Sequence, residues 1–523
     1  LCGVFAPAVE LPSPSQALIE ARDGLDAVLI EASLDTEASE LTVSQTLTLK
    51  NRTGQAQEAA VLRTWPNAFQ SPDTSPAAAE EALYEGCYPD GFSIGALVMS
   101  GARVARAGGE SKAVAYRYTD DAKTVLSVPI TDGWQAEEWI EITLTYTVQI
   151  PHMAYRFGED SGIWVLGNAF AIPAVWEEGA WRTDEYAPVG DPFLSDCMNW
   201  TVSVSVPEGF LCAGSGYPTA ETADGRTRYD FVSPAIRDFA LVVSDRFHTA
   251  QAEQDGVLVS AYATDASRAR ELLDYGKQAL ACFSARYGAY PYQSYTLCEI
   301  NFPMGGMEYP AMVMIAADLL DAGGESLETV VAHEVAHQWW YAVVGSDPVN
   351  QAWQDEALSQ FSMLEYLEDR HGLARREEYE QRELESALRV TVPRGVTPGA
   401  PLDRFSSMSE YALVVYDRGA AMFCALDRML DGGLDDFLRA YYERYAFGRA
   451  TREGFESLLA EIGGISRENY RAALDYISTG DPFHLERWRH LLRMERGEAP
   501  RPSTAQIAPG ERRSLTSLVD GLG

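Results

Sequence analysis

The sequence predicts a multidomain α+β protein in which an antiparallel β-sandwich or saddle domain precedes a mainly helical domain. Residues from about 23 to 250 contain runs of alternating apolar and polar side chains, which is typical of half-buried antiparallel strands. Residues from about 251 to 480 instead repeat their apolar side chains with helical spacing. The predicted domains are a leader or linker (1–22), an N-terminal β domain (23–250), a helical domain (251–480) and a weakly ordered C-terminal extension (481–523).

Individual elements follow from the same patterns. Alternation is clearest at 41–49, 139–148 and 200–206, whereas 101–125 is rich in alanine, glycine and charge and fits no single pattern. The helical domain is expected to open with a helix at 266–283 and a strand at 294–300. Further helices are predicted near 326–344, 352–370, 410–431, 433–446, 452–462 and 467–477, with a Pro/Gly-rich loop near 392–402.

Composition and charge exclude several classes of protein. The 523 residues are 46% hydrophobic, which is enough for large cores. Lys and Arg number 41 against 77 Asp and Glu, so a net charge of −36 argues against a nucleic-acid partner. No apolar run is long enough for a transmembrane helix, and the seven cysteines form no CxxC pair. The oligomeric state cannot be read from the sequence.

The first eight residues, Leu1 to Ala8, resemble the end of an apolar leader followed by a small-x-small cleavage pattern. This pattern predicts an extracytoplasmic protein, secreted or at the cell surface, whose leader has been removed. An arbitrary start and a cytoplasmic location remain the alternative.

The chemistry is concentrated in the motif His333-Glu334-Val335-Ala336-His337. On a helix, residues i and i+4 share one face, so both imidazoles can reach one metal ion. Glu334 lies close enough to act on a water molecule at that ion. Apolar and aromatic residues flank the motif, and burying these polar groups without a partner would cost several kcal/mol. The motif therefore predicts one zinc ion, with His333 and His337 as ligands and Glu334 as the catalytic base.

A catalytic zinc site takes a third protein ligand and keeps one position open. Glu356 is the candidate, because it begins the next predicted helix after a loop that lets this helix fold back. Its neighbour Asp355 has two equally good interpretations. It could orient one of the zinc ligands, or it could be a solvated acid favoured by the helix dipole.

Three motifs together resemble the M1 family of zinc aminopeptidases, a gluzincin family. They are the zinc array ending at Glu356, the loop Met304-Gly305-Gly306-Met307-Glu308-Tyr309-Pro310, which is similar to the family's GxMEN, and Val415-Tyr416-Asp417-Arg418-Gly419-Ala420, which is similar to Y-x-K-G-A. The resemblance covers roughly residues 25 to 480. It implies a thermolysin-like catalytic domain without the large C-terminal helical domain of many members.

The resemblance also implies the roles of the remaining site residues. Glu308 should bind the free α-ammonium group of a peptide, a charge-assisted contact, with Gly305, Gly306 and Met307 bringing the backbone close to the substrate. Tyr416 should donate a hydrogen bond to the developing oxyanion, and Tyr411 is a weaker candidate for that role. The implied activity is hydrolysis of the N-terminal peptide bond by a zinc-activated water.

The sequence departs from the family at three positions. Tyr309 replaces the Asn that ends GxMEN, Arg418 replaces the Lys of Y-x-K-G-A, and Asp355 stands where many members have Asn. The first departure bears on substrate contacts. The polar loop by which the first domain of many members also holds the substrate amine has no clear match.

Two other functions are compatible with these residues. A thermolysin-like endopeptidase would share the zinc site without needing Glu308. An inactive peptidase fold could serve as a binding scaffold, although such proteins usually lose ligands or the base, and all of these residues are present here.

Overall fold

The computed structural model describes residues 11–106, 108–430 and 433–464, and these residues form two compact units. The first unit contains the described residues up to Pro188, together with Leu194–Ala281 and Tyr290–Gln338. The second contains Val189–Phe193, Cys282–Ala289 and the described residues from Trp339 onward. The predicted helix at 467–477 and the predicted extension at 481–523 lie outside the described residues. The predicted domain boundaries remain predictions.

The first unit carries the β-structure of the described residues. Its strands are β1 (Ala27–Asp35), β2 (Glu40–Lys50), β3 (Gln57–Arg63), β4 (Ala96–Arg106), β5 (Lys112–Ala113), β6 (Arg117–Tyr118), β7 (Val125–Trp134), β8 (Trp139–Gln149), β9 (Phe157–Asp160), β10 (Ile163–Leu166), β11 (Ile172–Pro173), β12 (Trp176–Glu177), β13 (Ala180–Trp181), β14 (Met198–Pro207), β15 (Leu211–Gly214), β16 (Thr219–Ala223), β17 (Arg226–Ile236), β18 (Leu241–Ser244), β19 (His248–Gln254), β20 (Val257–Ala263), β21 (Ser294–Ile300), β22 (Gly306–Met307) and β23 (Met312–Ala316).

An eight-stranded sheet dominates this unit, with the strand order β16-β17-β14-β1-β2-β8-β4-β5. Adjacent strands within this sheet are antiparallel, except β1 and β14, which are parallel. Every second side chain of β8 is buried, which is the pattern of a sheet with one face on the core. Two four-stranded sheets, β15-β18-β10-β9 and β11-β3-β7-β6, and the hairpin β12-β13 complete the N-terminal part.

A separate five-stranded sheet, ordered β19-β20-β21-β23-β22, leads to the zinc motif. Its central pairs β20–β21 and β21–β23 are parallel, and all residues of these three strands are buried. Strands buried on both faces read as continuous apolar runs. The two-residue strand β22 pairs antiparallel with β23 at the edge of the sheet.

The helices fall in both units. Those that begin in the first unit are α1 (Gln16–Ala21), α2 (Glu81–Cys87), α3 (Ala266–Tyr287), α4 (Ala317–Ala322) and α5 (Gly324–His337). Those of the second unit are α6 (Glu356–His371), α7 (Leu373–Tyr379), α8 (Glu385–Arg389), α9 (Met408–Tyr411), α10 (Gly419–Met429), α11 (Leu434–Tyr445) and α12 (Arg452–Gly463). Short 3-10 turns lie at Trp65–Gln70, Pro76–Ala78, Ala352–Gln354 and Leu402–Arg404, and π-helical turns at Gln338–Val343, Glu380–Leu384 and Ala412–Arg418.

This arrangement confirms the predicted fold class, since a multi-strand β part is followed by a helical part. The predicted strand at 294–300 is β21, and the helix predicted at 266–283 extends to Tyr287. The segment 101–125, which fitted no pattern, supplies the end of β4 with β5 and β6. Among the described helices, none is both long enough and apolar enough to span a bilayer.

Candidate metal centre and active site

Helix α5 carries the zinc motif in a buried position. Leu327, Val331, Ala332, Val335 and Ala336 are completely covered. The polar side chains of the motif lie among them, since His333, Glu334 and His337 are 7%, 6% and 1% exposed. Every residue from Val331 to His337 is buried, so this part of the helix is covered on all sides and does not lie on the surface of the unit.

The two imidazoles of α5 are placed for one tetrahedral metal ion. Their Nε2 atoms are 3.0 Å apart. Two nitrogens bound to a tetrahedral zinc at about 2.0–2.1 Å lie about 3.3 Å from each other, so His333 and His337 fit this ion. Neutral imidazole is also a preferred zinc donor.

Glu334 is packed directly against Gly306 in β22. A Cβ atom built on Gly306 would lie 2.5 Å from Glu334 Cγ, a distance that real side chains do not adopt. Only glycine leaves room for this carboxylate at that point. The close approach predicted for Gly306 therefore involves a side chain of the protein itself.

The loop between β22 and β23 is a tight turn. Pro310 and Ala311 occupy its central positions, and the Met312 amide donates to the Tyr309 carbonyl at 3.0 Å. Ala311 has a φ of +57°, as the third position of a type II turn requires. Glycine usually takes this position, so the turn needs support from its surroundings.

Gln338 provides that support from the end of α5. Its Nε2 donates to the Tyr309 carbonyl at 3.1 Å, and its Oε1 accepts from the Ala311 amide at 2.8 Å. The side chain is completely buried. The turn is thus fixed to the helix that carries both histidines.

Glu308 lies between this turn and β22, and it is 5% exposed. One carboxylate oxygen of Glu308, one of Glu334 and one ring nitrogen of His337 all lie within 4.8 Å of each other. The first unit therefore brings together four of the predicted site residues, namely His333, His337, Glu334 and Glu308. Met307, the residue before Glu308, lies in β22 and is 3% exposed.

The second unit holds Glu356, the first residue of α6, which is 3% exposed. Its neighbour Asp355 is also buried, which excludes the interpretation of Asp355 as a solvated acid. That Asp355 orients a zinc ligand remains a prediction.

Tyr416 lies on the π-helical turn Ala412–Arg418 and hydrogen-bonds to Glu356. Desolvation, and then the negative charge of Glu356, hold the pKa of Tyr416 well above its ordinary value, so its hydroxyl stays a proton donor. The rings of Tyr411 and Tyr416 meet edge to face with centroids 5.6 Å apart. The second unit thus groups Glu356, Tyr416 and Tyr411.

Arg418 and Gly419 of the same motif have structural roles. A Cβ on Gly419 would overlap Ala357 Cβ, so glycine lets α10 approach the start of α6. Arg418, which departs from the family's lysine, is buried and donates from Nε to the Ala387 carbonyl at 3.2 Å and from Nη2 to the Val390 carbonyl. It thereby satisfies carbonyl groups at the end of α8.

Sequence reasoning did not identify the partners of Tyr309. Its hydroxyl donates to Asn168 Oδ1 at 2.7 Å, and Asn168 Nδ2 donates to Asp238 Oδ2 at 2.6 Å. Asn168 and Asp238 lie more than 70 residues from Tyr309 in the sequence. No local pattern could have linked them to it, and the one available signal was the unusual tyrosine after Glu308.

Comparison with known proteins finds a family domain and several relatives. Residues 272–475 match the peptidase family M1 domain. Aminopeptidase N of Lactobacillus helveticus is 31% identical over 252 residues, which is 43% of this chain and 29% of that protein. Leukotriene A-4 hydrolase of Xenopus laevis is 29% identical over 33% of this chain and 30% of its own length. The chain thus spans about three tenths of the length of these curated relatives.

A solved structure, the M1 zinc metallopeptidase of Deinococcus radiodurans, has the same fold. It superposes with a TM-score of 0.57 at 16% identity and covers 86% of this chain and 93% of its own. The match to the family domain includes Glu308, α5, α6 and Tyr416. By these comparisons, the part of the chain that carries the zinc motif is similar to the domain of peptidase family M1.

Proposed function

We propose that the chain is a zinc-dependent aminopeptidase that hydrolyses the N-terminal bond of peptides with a free α-amine. The observation that carries this proposal is the 4.8 Å limit on the separations among Glu308, Glu334 and His337. In a peptide the α-nitrogen and the carbonyl carbon of the first residue are about 2.5 Å apart. A carboxylate this close to the base and to a zinc ligand would hold the ammonium group about one residue from the reacting bond.

Three further observations support this proposal. The β22 strand is at the edge of its sheet, and an edge strand offers backbone groups to an extended peptide. The curated relatives include aminopeptidases. A mutant of the Deinococcus radiodurans metallopeptidase is described as bound to a Tyr-Ser-Ala substrate.

The zinc ion would be held by His333, His337 and Glu356. For the two histidines, the support is the spacing of their nitrogens. For Glu356, the support is its place after the motif at the start of α6 and its burial. When bound, zinc supplies a Lewis acid that polarises the scissile carbonyl and makes water easier to deprotonate.

The remaining steps belong to side chains of the protein. Glu308 binds the α-ammonium group and orients the first residue. Glu334 takes a proton from the attacking water and later gives it to the leaving amine. Tyr416 donates a hydrogen bond to the carbonyl oxygen as negative charge develops there, and its raised pKa keeps the donor proton in place at neutral pH.

A panel of aminoacyl reporter substrates tests the proposal. Free-amine reporters should be hydrolysed, a chelator should abolish the activity, and added zinc should restore it. N-acetylated reporters are the matched control and should be cleaved at least about 100-fold more slowly, since they lack the ammonium group.

Equal internal cleavage of N-blocked peptides would replace the proposal with an endopeptidase. No turnover by the zinc-loaded protein would indicate a binding scaffold.

A further inference from the structure

The side chain that follows Glu308 is anchored in the N-terminal β-structure. Tyr309 is 1% exposed, and its hydroxyl donates to Asn168 Oδ1 at 2.7 Å. The hydroxyl end of its ring lies close to Gly167, where a Cβ atom would come within 2.6 Å of Tyr309 Cζ. Asn168 belongs to the segment between β10 and β11, so this contact joins the Glu308 loop to a distant part of the first unit.

The hydrogen bonds continue from Asn168 to a buried carboxylate. Asn168 Nδ2 donates to Asp238 Oδ2 at 2.6 Å, and the Phe239 amide donates to Asp238 Oδ1 at 2.7 Å. Asp238 is 1% exposed, and burial raises its pKa to about 7. This carboxylate is removed from water and accepts these two hydrogen bonds instead. They hold it in a fixed position at the end of the hydrogen-bond series that begins at Tyr309.

The backbone of the same loop is fixed separately. Gln338 binds the Tyr309 carbonyl and the Ala311 amide, and β22 pairs with β23 on the other side of Glu308. Rotation of the segment about these backbone anchors is opposed by the Tyr309 side chain. The carboxylate of Glu308, one residue away, therefore depends on that side chain for its direction.

We propose that Tyr309 is a positioning residue, which acts through Asn168 and Asp238 to hold the Glu308 carboxylate where the substrate ammonium group binds. This inference rests on the proposed aminopeptidase function. It assigns a purpose to the residue at which the chain departs from the family motif.

The alternative is that this chain of hydrogen bonds only stabilises the fold. A structural role would lower the melting temperature without changing KM selectively. A positioning role would raise KM for free-amine substrates and leave kcat nearly unchanged, since the base and the zinc ligands are not disturbed.

The first experiment compares Tyr309→Phe with Tyr146→Phe. Tyr146 in β8 is an equally buried tyrosine whose hydroxyl donates to Gln45 Oε1 at 2.6 Å, so its loss matches the chemistry of the change at Tyr309. Tyr309→Phe should raise KM for free-amine reporters about five- to tenfold with kcat within twofold, and Tyr146→Phe should leave KM unchanged. Equal KM values for Tyr309→Phe and the wild type would overturn the inference.

Two further variants exclude a purely structural explanation. Asn168→Gly keeps the positive φ of 52° accessible, removes the amide and should raise KM as much as Tyr309→Phe does. It also decides the question if Tyr309→Phe does not fold. In a Glu308→Ala background, Tyr309→Phe should add no further change in kcat/KM, because no carboxylate remains to be positioned.

If the losses of kcat/KM caused by Glu308→Ala and Tyr309→Phe multiply in the double variant, the two residues act independently, and this result would contradict a positioning role. A wild-type protein that does not hydrolyse free-amine reporters would instead refute the proposed function. Activity of the wild type with unchanged KM in Tyr309→Phe refutes this inference alone.

Discussion

The side chain of Glu334 occupies the space that a Cβ atom on Gly306 would need, since such an atom would lie 2.5 Å from Glu334 Cγ. The position of the proposed base is therefore set partly by the missing side chain on the loop. We expect Gly306→Ala to displace the carboxylate and to lower kcat about 100-fold or more, since a displacement of about 1 Å can cost this much. Steady-state kinetics and the zinc content measure the effect, and the zinc content should be unchanged.

Gly101→Ala is the matched control for this prediction. It also adds a Cβ in the first unit, but the new atom meets only the Thr145 hydroxyl, at 3.0 Å, and this group can rotate. Kinetics of Gly306→Ala within twofold of the wild type would show that the carboxylate can move without loss.

The zinc content of purified variants should distinguish replacement of the proposed base from replacement of a proposed zinc ligand. Glu334→Gln keeps the shape of the side chain but cannot take a proton, so we expect kcat to fall about 10²- to 10⁴-fold with zinc retained. His337→Ala should lose the metal itself, because an imidazole ligand is removed. Metal analysis of both purified variants checks this, and unchanged turnover by Glu334→Gln would rule out the mechanism.

The contribution of Glu308 to kcat/KM should depend on the positive charge at the amino terminus of the substrate. Replacement by Ala removes a charge-assisted hydrogen bond, which is worth about 1.5–3 kcal/mol, so kcat/KM on free-amine reporters should fall roughly 10- to 100-fold. Residual cleavage of N-acetylated reporters should not change. An equal loss on both substrates would indicate that Glu308 holds the loop rather than the amine.

Tyr416 and Tyr411 can be distinguished by removing one hydroxyl at a time. Tyr416→Phe should lower kcat about 10²- to 10³-fold with little change in KM, since the hydroxyl acts on charge that develops during the reaction. Tyr411→Phe is the neighbouring control and should lower kcat less than about threefold. If Tyr411→Phe lowers kcat more than Tyr416→Phe does, the oxyanion contact belongs to Tyr411 instead of Tyr416.

The half-buried carboxyl group of Asp417 should make stability depend on pH. Burial, and then the charge of Glu383, raise its pKa to about 7. The folded protein therefore keeps a proton that the unfolded chain releases near pH 4. The resulting stabilisation is complete below about pH 4 and is lost as the pH rises to about 7, with a slope of up to about 1.4 kcal/mol per pH unit.

Asp417→Asn has no proton to lose and should remove this contribution. Its free energy of unfolding, measured with urea between pH 5 and 8, should exceed that of the wild type by more as the pH rises. A constant difference between the two proteins would show that Asp417 titrates normally.

The zinc motif and its burial could be predicted because both depend on neighbours in sequence. The spacing of His333 and His337 places them on one face of any helix, and the apolar residues around them predict a buried helix. The strand β23 was not predicted. Its run of five apolar residues, Met312–Ala316, is short. The run shows no alternation, because a buried parallel strand has two covered faces.

The relation between Tyr411 and Tyr416 could not be predicted from helical spacing. Residues five apart on an α-helix lie about 140° from each other around the axis. A π-helical turn, with hydrogen bonds between residues five apart, brings them to the same side, and such turns have no sequence signature. Likewise, the contact of Tyr309 with Asn168 depends on tertiary packing over 141 residues.

The turn at Tyr309–Met312 also limits how the chain can vary in length. Both lone pairs of the Tyr309 carbonyl are used, one by Met312 and one by Gln338, and the Ala311 amide is bound to the same glutamine. An inserted or deleted residue here would break all three bonds and shift Glu308 out of register with β23. Relatives that differ in length should therefore gain or lose residues before Gly305 or in the connection around α4, and not inside this hairpin.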